Sequence, residues 1–153
     1  MKKILFVCLG NICRSPMAEY TMRELINQAG LQEQITVASA ATSTEEIGNP
    51  VYPPARKKLE EHGIACNGHQ ARQLCREDYD AFDLLIGMDR SNLNGMIRIC
   101  GGDPQNKFHL LMDYTNRPGE EVADPWYTRN FDRTWQDVLN GCTGLLAQLK
   151  ANQ

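Results

Sequence analysis

The 153-residue sequence has no apolar run long enough to span a membrane, no Cys-x2-Cys pair, no excess of positive charge and only three histidines. Each absence removes a class of protein. A transmembrane helix needs about 18 or more consecutive apolar residues, and none is present. Met1-Lys2-Lys3 followed by Ile4-Leu5-Phe6-Val7 resembles the start of a secretory leader, but Gly10, Asn11 and Arg14 interrupt it and no small-residue cleavage site follows. A formal charge of −3 leaves no basic stripe for a nucleic-acid backbone, so no nucleic-acid partner is expected and any affinity for phosphate has to be local. The six cysteines, at 8, 13, 66, 75, 100 and 142, lack zinc-ligand spacing, and no metal or other cofactor is expected. These absences point to a cytoplasmic protein with reduced thiols and no membrane partner.

With 42% hydrophobic residues the chain can bury one core but not two, so residues 1–153 are expected to form a single domain. Ile4–Val7, Ile35–Ala41, Phe82–Met88 and Phe108–Met112 read as strands. Helices are expected from about Pro16 to Ala29, from Pro53-Pro54 to His62, from a Ser91-Asn92 cap to Cys100, and through Trp135, Val138, Leu139, Cys142, Leu145, Leu146 and Leu149. Gly141 and Gly144 weaken that last pattern by about 1 kcal/mol each relative to Ala. Strands alternating with helices imply an α/β fold, a small four-stranded parallel sheet with helices on both faces in a Rossmann-like or flavodoxin-like three-layer arrangement. No repeat, linker or low-complexity tract is present. Cys66, Cys75, Cys100 and Cys142 are expected to be packing residues, and His62 and His109 carry no functional argument.

Chemistry concentrates after the first strand. Cys8-Leu9-Gly10-Asn11-Ile12-Cys13-Arg14-Ser15-Pro16 joins a buried strand to a helix, with a glycine for the turn and a proline suited to the first helical turn. Backbone N–H groups converging at a helix N-terminus suit a phosphate dianion, and the Arg14 guanidinium can hold two of its oxygens. A thiol in such a field works as a thiolate, the nucleophilic form. Spacing alone would not carry this, because six Cys and ten Arg give roughly 0.4 chance matches to Cys-x5-Arg. A second match does occur at Cys66 to Arg72, but it follows no strand and lacks a hydroxyl after the arginine. The pairing of thiol and phosphate loop implies sulfur attacking phosphorus. The expelled oxygen then needs a proton, and Asp124, held extended by Pro125 in a loop-like stretch, is the candidate donor.

Val7 to Glu19 resembles the signature of the low-molecular-weight protein tyrosine phosphatases. Ser39-Ala40-Ala41-Thr42-Ser43, His62-Gly63-Ile64, His69-Gln70-Ala71-Arg72, Met88-Asp89-Arg90-Ser91-Asn92-Leu93 and Asp124-Pro125-Trp126-Tyr127 follow in that family's order, so the resemblance spans the chain. It implies hydrolysis of phosphotyrosine in a protein or peptide, with inorganic phosphate and similar oxyanions as product or inhibitors. Cys8 would be nucleophile, Arg14 phosphate ligand and Asp124 general acid and base, with residues Leu9, Gly10, Asn11, Ile12, Cys13, Arg14 and Ser15 forming the phosphate cradle. Ser15 would support the Cys8 sulfur or cap the helix. Asn11 would take an unusual backbone conformation braced by Ser39 and His69. Asp89 would lie beside the loop, or serve as a cap. Cys13 would pair with Cys8 in a reversible disulfide, or simply fill space.

Ile12, Glu45, Trp126 and Tyr127 are the expected substrate walls. Many members carry an aromatic where Glu45 stands, so one wall is expected to be polar and to disfavour acidic flanking sequence. Three other activities fit parts of the pattern. A protein arginine phosphatase on the same scaffold is disfavoured by Ile12, since relatives with that activity carry Thr there. An arsenate reductase would need relay cysteines, which Gly87-Met88-Asp89 does not supply. A phosphotyrosine-binding module would have no use for Cys8 together with Asp124.

Overall fold

The computed structural model describes residues 1–152. In chain order its elements are β1 (Lys2–Cys8), α1 (Arg14–Gln28), β2 (Ile35–Ala41), α2 (Pro53–Glu61), α3 (Asp78–Ala81), β3 (Leu84–Gly87), α4 (Arg90–Cys100), β4 (Phe108–Leu110), a 3-10 turn (Leu111–Tyr114), α5 (Pro125–Thr128) and α6 (Phe131–Ala151). The strands form one parallel sheet in the order β2-β1-β3-β4. The α/β expectation therefore holds, with β1 at the centre and the chain reversing direction of travel across it. Crevices for ligands open at that reversal, beyond the strand C-termini.

After the exposed Lys2 and Lys3, β1 is apolar from Ile4 to Cys8 because both sheet faces are covered there, yet it still alternates. Ile4, Phe6 and Cys8 join the core formed with α1, α2 and α6, where Met17, Met22, Leu59, Val138 and Leu145 are buried. Leu5 and Val7 join a second core with Leu85, Tyr79 of α3, and Met96 and Cys100 of α4. Pairing of Cys8 with Ala41 fixes where β1 ends.

Three local expectations need correction. α4 starts earlier than the Ser91-Asn92 cap: Asp89 is the N-cap, accepting the Asn92 N–H at 2.8 Å, while the Asn92 side chain receives the N–H groups of Met88 and Asp89. β4 stops at Leu110, where Asp113 takes the Leu110 N–H at 3.2 Å and the chain winds into the 3-10 turn. Cys75 is exposed, its N–H bound to Asp78, whereas Cys66, Cys100 and Cys142 are buried. Gly141 and Gly144 have a packing role. A Cβ at Gly144 would lie 1.8 Å from the Tyr114 carbonyl oxygen, and one at Gly141 would lie 2.4 Å from Leu111. Among the described residues no helix is long and apolar enough to cross a membrane.

Candidate active site

The sheet core delivers Cys8 to the strand terminus, and residues 9–13 then turn into α1. The neighbouring loop pins the turn: the N–H groups of Thr42, Ser43 and Tyr52 bind the carbonyls of Cys8, Leu9 and Ile12 at 3.0, 3.0 and 2.8 Å. Gly10 is crowded by Glu46, whose Cγ would lie 3.3 Å from any added Cβ. Asn11 adopts φ +60°, as the resemblance implied, a conformation that costs most residues about 1–2 kcal/mol. Its fully buried side chain explains how this is sustained. The Asn11 carboxamide nitrogen donates to Ser15 Oγ at 2.8 Å and Ser39 Oγ at 2.9 Å, its oxygen accepts the Arg72 N–H at 3.1 Å, and His69 Nε2 donates to its main-chain carbonyl at 2.7 Å.

That arrangement orients two hydroxyl protons. Each serine oxygen already accepts from Asn11, so each hydroxyl donates elsewhere. Ser39 donates to Glu19 Oε1 at 2.5 Å, and Ser15 to Cys8 Sγ at 3.0 Å. The Asn11 N–H adds a second donor to the sulfur at 3.3 Å. Ser15 lies inside α1 rather than capping it; the cap position is Cys13, which offers no side-chain bond. Among the described residues no protein acceptor meets the N–H groups of Gly10, Ile12, Cys13, Arg14 and Ser15.

Arg14 is 3% exposed and firmly held. Its Nη1 donates to Asp89 Oδ2 and to the Val122 carbonyl, both at 2.8 Å, while Nη2 lies 3.5 Å from Asp124 Oδ2. Burial disfavours its charge, but the Cys8 sulfur, Asp89 and Asp124 outweigh that and raise its pKa above the ordinary arginine value. Cys13 is pushed strongly upward, first by burial and then by the Cys8 sulfur and Asp124, so it stays a neutral thiol. Asp124 caps α5, its Oδ1 accepting the Trp126 N–H at 3.0 Å, which fixes one carboxylate oxygen and leaves the other toward Arg14.

Cys8, Leu9, Gly10, Ile12, Cys13, Arg14, Glu45, Asp124, Trp126 and Tyr127 line one cavity of about 150 Å³, so the expected nucleophile, cation, acid and walls come together. Trp126 is 44% and Tyr127 76% exposed at its rim. Asn11, Ser15, Ser39, His69 and Asp89 sit behind the loop rather than in the cavity. Sequence reasoning missed Glu46, which lines the cavity beside Glu45; Glu19, which ends the hydroxyl chain; and the main-chain groups of Arg72 and Val122. A main-chain contact leaves no mark on residue type, and Glu46 offered no signal beyond adjacency. The second Cys-x5-Arg match forms no such loop, since the Arg72 guanidinium is bound to Asp78 at 3.0 and 3.2 Å. A larger open cleft at the other end of the sheet, by the strand N-termini and lined by Met1, His109 and Tyr114 among others, contains neither thiol nor guanidinium.

Residues 3–153 match the family model for low molecular weight phosphotyrosine protein phosphatases. The low molecular weight protein-tyrosine-phosphatase YfkJ of Bacillus subtilis is 39% identical over 151 residues, covering 98% of this chain and 97% of its own length. Its crystal structure superposes with a TM-score of 0.96 at 38% identity, over 100% and 97% of the two chains. The chicken (Gallus gallus) low molecular weight phosphotyrosine protein phosphatase is 37% identical over 150 residues, covering 95% of this chain and 94% of its own. The structure of a Drosophila arginine phosphatase is also similar, at TM-score 0.88 and 31% identity over the full length of both chains.

Proposed function

The chain belongs to the low-molecular-weight phosphotyrosine protein phosphatase family and is a hydrolase of that kind, and from that premise we propose that it cleaves phosphotyrosine in proteins or peptides through a phosphocysteine on Cys8, residues 1–153 acting as one phosphatase domain. The observation that carries this is the Cys8 sulfur, 3.0 Å from the Ser15 hydroxyl and 3.3 Å from the Asn11 N–H, in one cavity with Arg14 and Asp124. The thiolate attacks phosphorus, the bond to the tyrosyl oxygen breaks, and the Asp124 carboxyl supplies the proton that the departing phenoxide takes up. Water then attacks the phosphocysteine. The Asp124 carboxylate accepts its proton, the S–P bond breaks, and the Cys8 thiolate and inorganic phosphate are released.

The uncommitted N–H groups of the loop, with the free donors of Arg14, suit the equatorial oxygens of the transferring phosphoryl group. Because Asp89 and Val122 occupy Nη1, the guanidinium has no freedom to swing away. Ser15 lowers the cost of the thiolate leaving phosphorus. Ile12, Trp126 and Tyr127 supply apolar surface for a phenyl ring, and Glu45 with Glu46 supplies an acidic margin. Cys13 lines the same cavity as Cys8, so once a peroxide has converted the Cys8 thiolate to a sulfenic acid the Cys13 sulfur can displace water and close a disulfide, slowly because its raised pKa leaves little of it as thiolate.

Assays of wild type, Cys8→Ser and Asp124→Ala on phosphotyrosine and phosphoarginine peptides, with acid-quench trapping of labelled enzyme, test the reading. Cys8→Ser is expected to be inactive and unlabelled. Asp124→Ala is expected to lose about 10²- to 10⁴-fold on phosphotyrosine. Faster phosphoarginine cleavage by wild type would overturn the substrate assignment, and undiminished activity in Cys8→Ser would overturn the mechanism.

A further inference from the structure

The acid-bearing segment is tied down up to Pro125, where the Val122 N–H binds the Met88 carbonyl at 2.9 Å, the Val122 carbonyl accepts from Arg14 and Pro125 is buried, but residues 126–130 beyond it are exposed and have little to hold them. α5 is four residues long, too short to be stable by itself, and its Arg129 end turns through a left-handed conformation at φ +61°. Yet Asp124 has to meet a leaving oxygen above Cys8 with small tolerance, because misplacement on the order of 1 Å can cost a hundredfold. Tyr52 joins the two. Its main-chain N–H binds the Ile12 carbonyl of the phosphate loop at 2.8 Å, and its ring lies 5.0 Å from the Trp126 ring at 50° and 6.2 Å from the Phe131 ring at 32°. Trp126 in turn gives its N–H to Asp124 Oδ1. One residue thus grips the nucleophile loop by its backbone and the acid loop by its side chain. It also starts α2, whose Arg56 N–H binds the Tyr52 carbonyl at 2.9 Å, so the post rests on a helix anchored by buried Ala55 and Leu59.

From the Tyr52 ring against Trp126 and the Tyr52 N–H on Ile12, we infer that Tyr52 is a positioning residue that holds Asp124 in proton-donating register with Cys8. The inference rests on Asp124 being the general acid. Only the ring face is required, because among the described residues the Tyr52 hydroxyl makes no hydrogen bond. Tyr52 neither lines the catalytic cavity nor reaches the reacting atoms; its effect passes through Trp126 to the carboxylate.

The discriminating readout is the leaving group. Phenoxide departure from phosphotyrosine needs a proton, whereas a dinitrophenolate leaves without one. kcat/KM, which reports steps up to phenol release, is measured on a phosphotyrosine peptide and on 2,4-dinitrophenyl phosphate for wild type, Tyr52→Phe, Tyr52→Ala and the Asp124→Ala control. Tyr52→Ala is expected to lose about tenfold on phosphotyrosine and stay within about twofold on the dinitrophenyl ester, with Tyr52→Phe within about twofold on both. Equal losses on the two substrates, or none on either, would overturn the inference. Tyr52→Leu, which keeps apolar bulk without a ring face, answers the same question if Tyr52→Ala does not fold. An Asp124→Ala control without leaving-group dependence would sink the general-acid assignment, and the inference with it. Selective loss in that control alone would sink only the role of Tyr52.

Discussion

Asp89 divides its carboxylate between two tasks: Oδ2 lies 2.8 Å from Arg14 Nη1, and Oδ1 accepts the Asn92 N–H at 2.8 Å to cap α4. The two can be separated by substitution. Asn caps helices as well as Asp does, so Asp89→Asn is expected to keep the fold while weakening the grip on Arg14, lowering kcat/KM by about tenfold. Asp89→Ala loses the cap as well, and is expected to cost a further ~1 kcal/mol in chemical denaturation. Equal stability of the two variants would show that the cap contributes nothing.

Ser15 is predicted to act on the second half of the reaction. Asn11 occupies an acceptor site of its hydroxyl, so the proton points to sulfur. In Ser15→Ala the thiolate leaves phosphorus without that donor, and about tenfold slower breakdown of the phosphocysteine is expected. Rapid quench resolves it: the labelled enzyme accumulates in the steady state, while the burst of phenol changes less than its decay.

Replacing a mid-helix glycine by alanine ordinarily stabilises a helix by about 1 kcal/mol. Gly144→Ala is expected to do the reverse, because the new Cβ would sit 1.8 Å from the Tyr114 carbonyl oxygen and push α6 off the 3-10 turn. A loss of about 1–3 kcal/mol in urea denaturation is predicted, with Thr143→Ala, exposed on the same helix, near neutral.

Asp78 sets an acid limit on stability. Burial raises its pKa, but the Arg72 guanidinium and the Cys75 N–H overcome this and leave it below the ordinary 3.8. A carboxylate depressed in the folded state contributes stability that is present above its unfolded value, near 4, and lost as pH falls through the folded value. Thermal melts between pH 5 and pH 2.5 are expected to fall less steeply for Asp78→Asn than for wild type. An unchanged slope would remove Asp78 from the acid response.

The motif after β1 was legible because its residue types are chemically unusual together: a thiol, glycine, guanidinium, hydroxyl and proline between a strand and a helix. The faces of α6 were legible for a different reason, the helical recurrence of Trp135, Val138, Cys142, Leu145 and Leu149, all of them buried. What escaped depends on main-chain groups or on distance in the chain. Val122 holds Arg14 by a carbonyl, Arg72 holds Asn11 by an N–H, and Tyr52 reaches Trp126 across 74 positions of sequence. Cys75 was misjudged because cysteine's preference for burial says nothing about the turn ahead of α3. The true cap lies two residues before Ser91 because Asp89 and Asn92 satisfy each other's backbone, a reciprocal arrangement for which Ser91 looks an equally good start in sequence.

β1 sends Ile4, Phe6 and Cys8 to one face of the sheet and Leu5 and Val7 to the other. The nucleophile therefore obeys the same parity as the core. Inserting or deleting a single residue between Ile4 and Val7 would ask the sheet to choose: keep its apolar side chains buried and move the thiol out of frame with Arg14, or keep the thiol and turn the strand inside out. Insertions of that kind are ruled out for catalysis by the sheet before the loop is consulted, whereas the exposed Glu45 loop and the rim at Tyr127 can change length and composition without touching that parity.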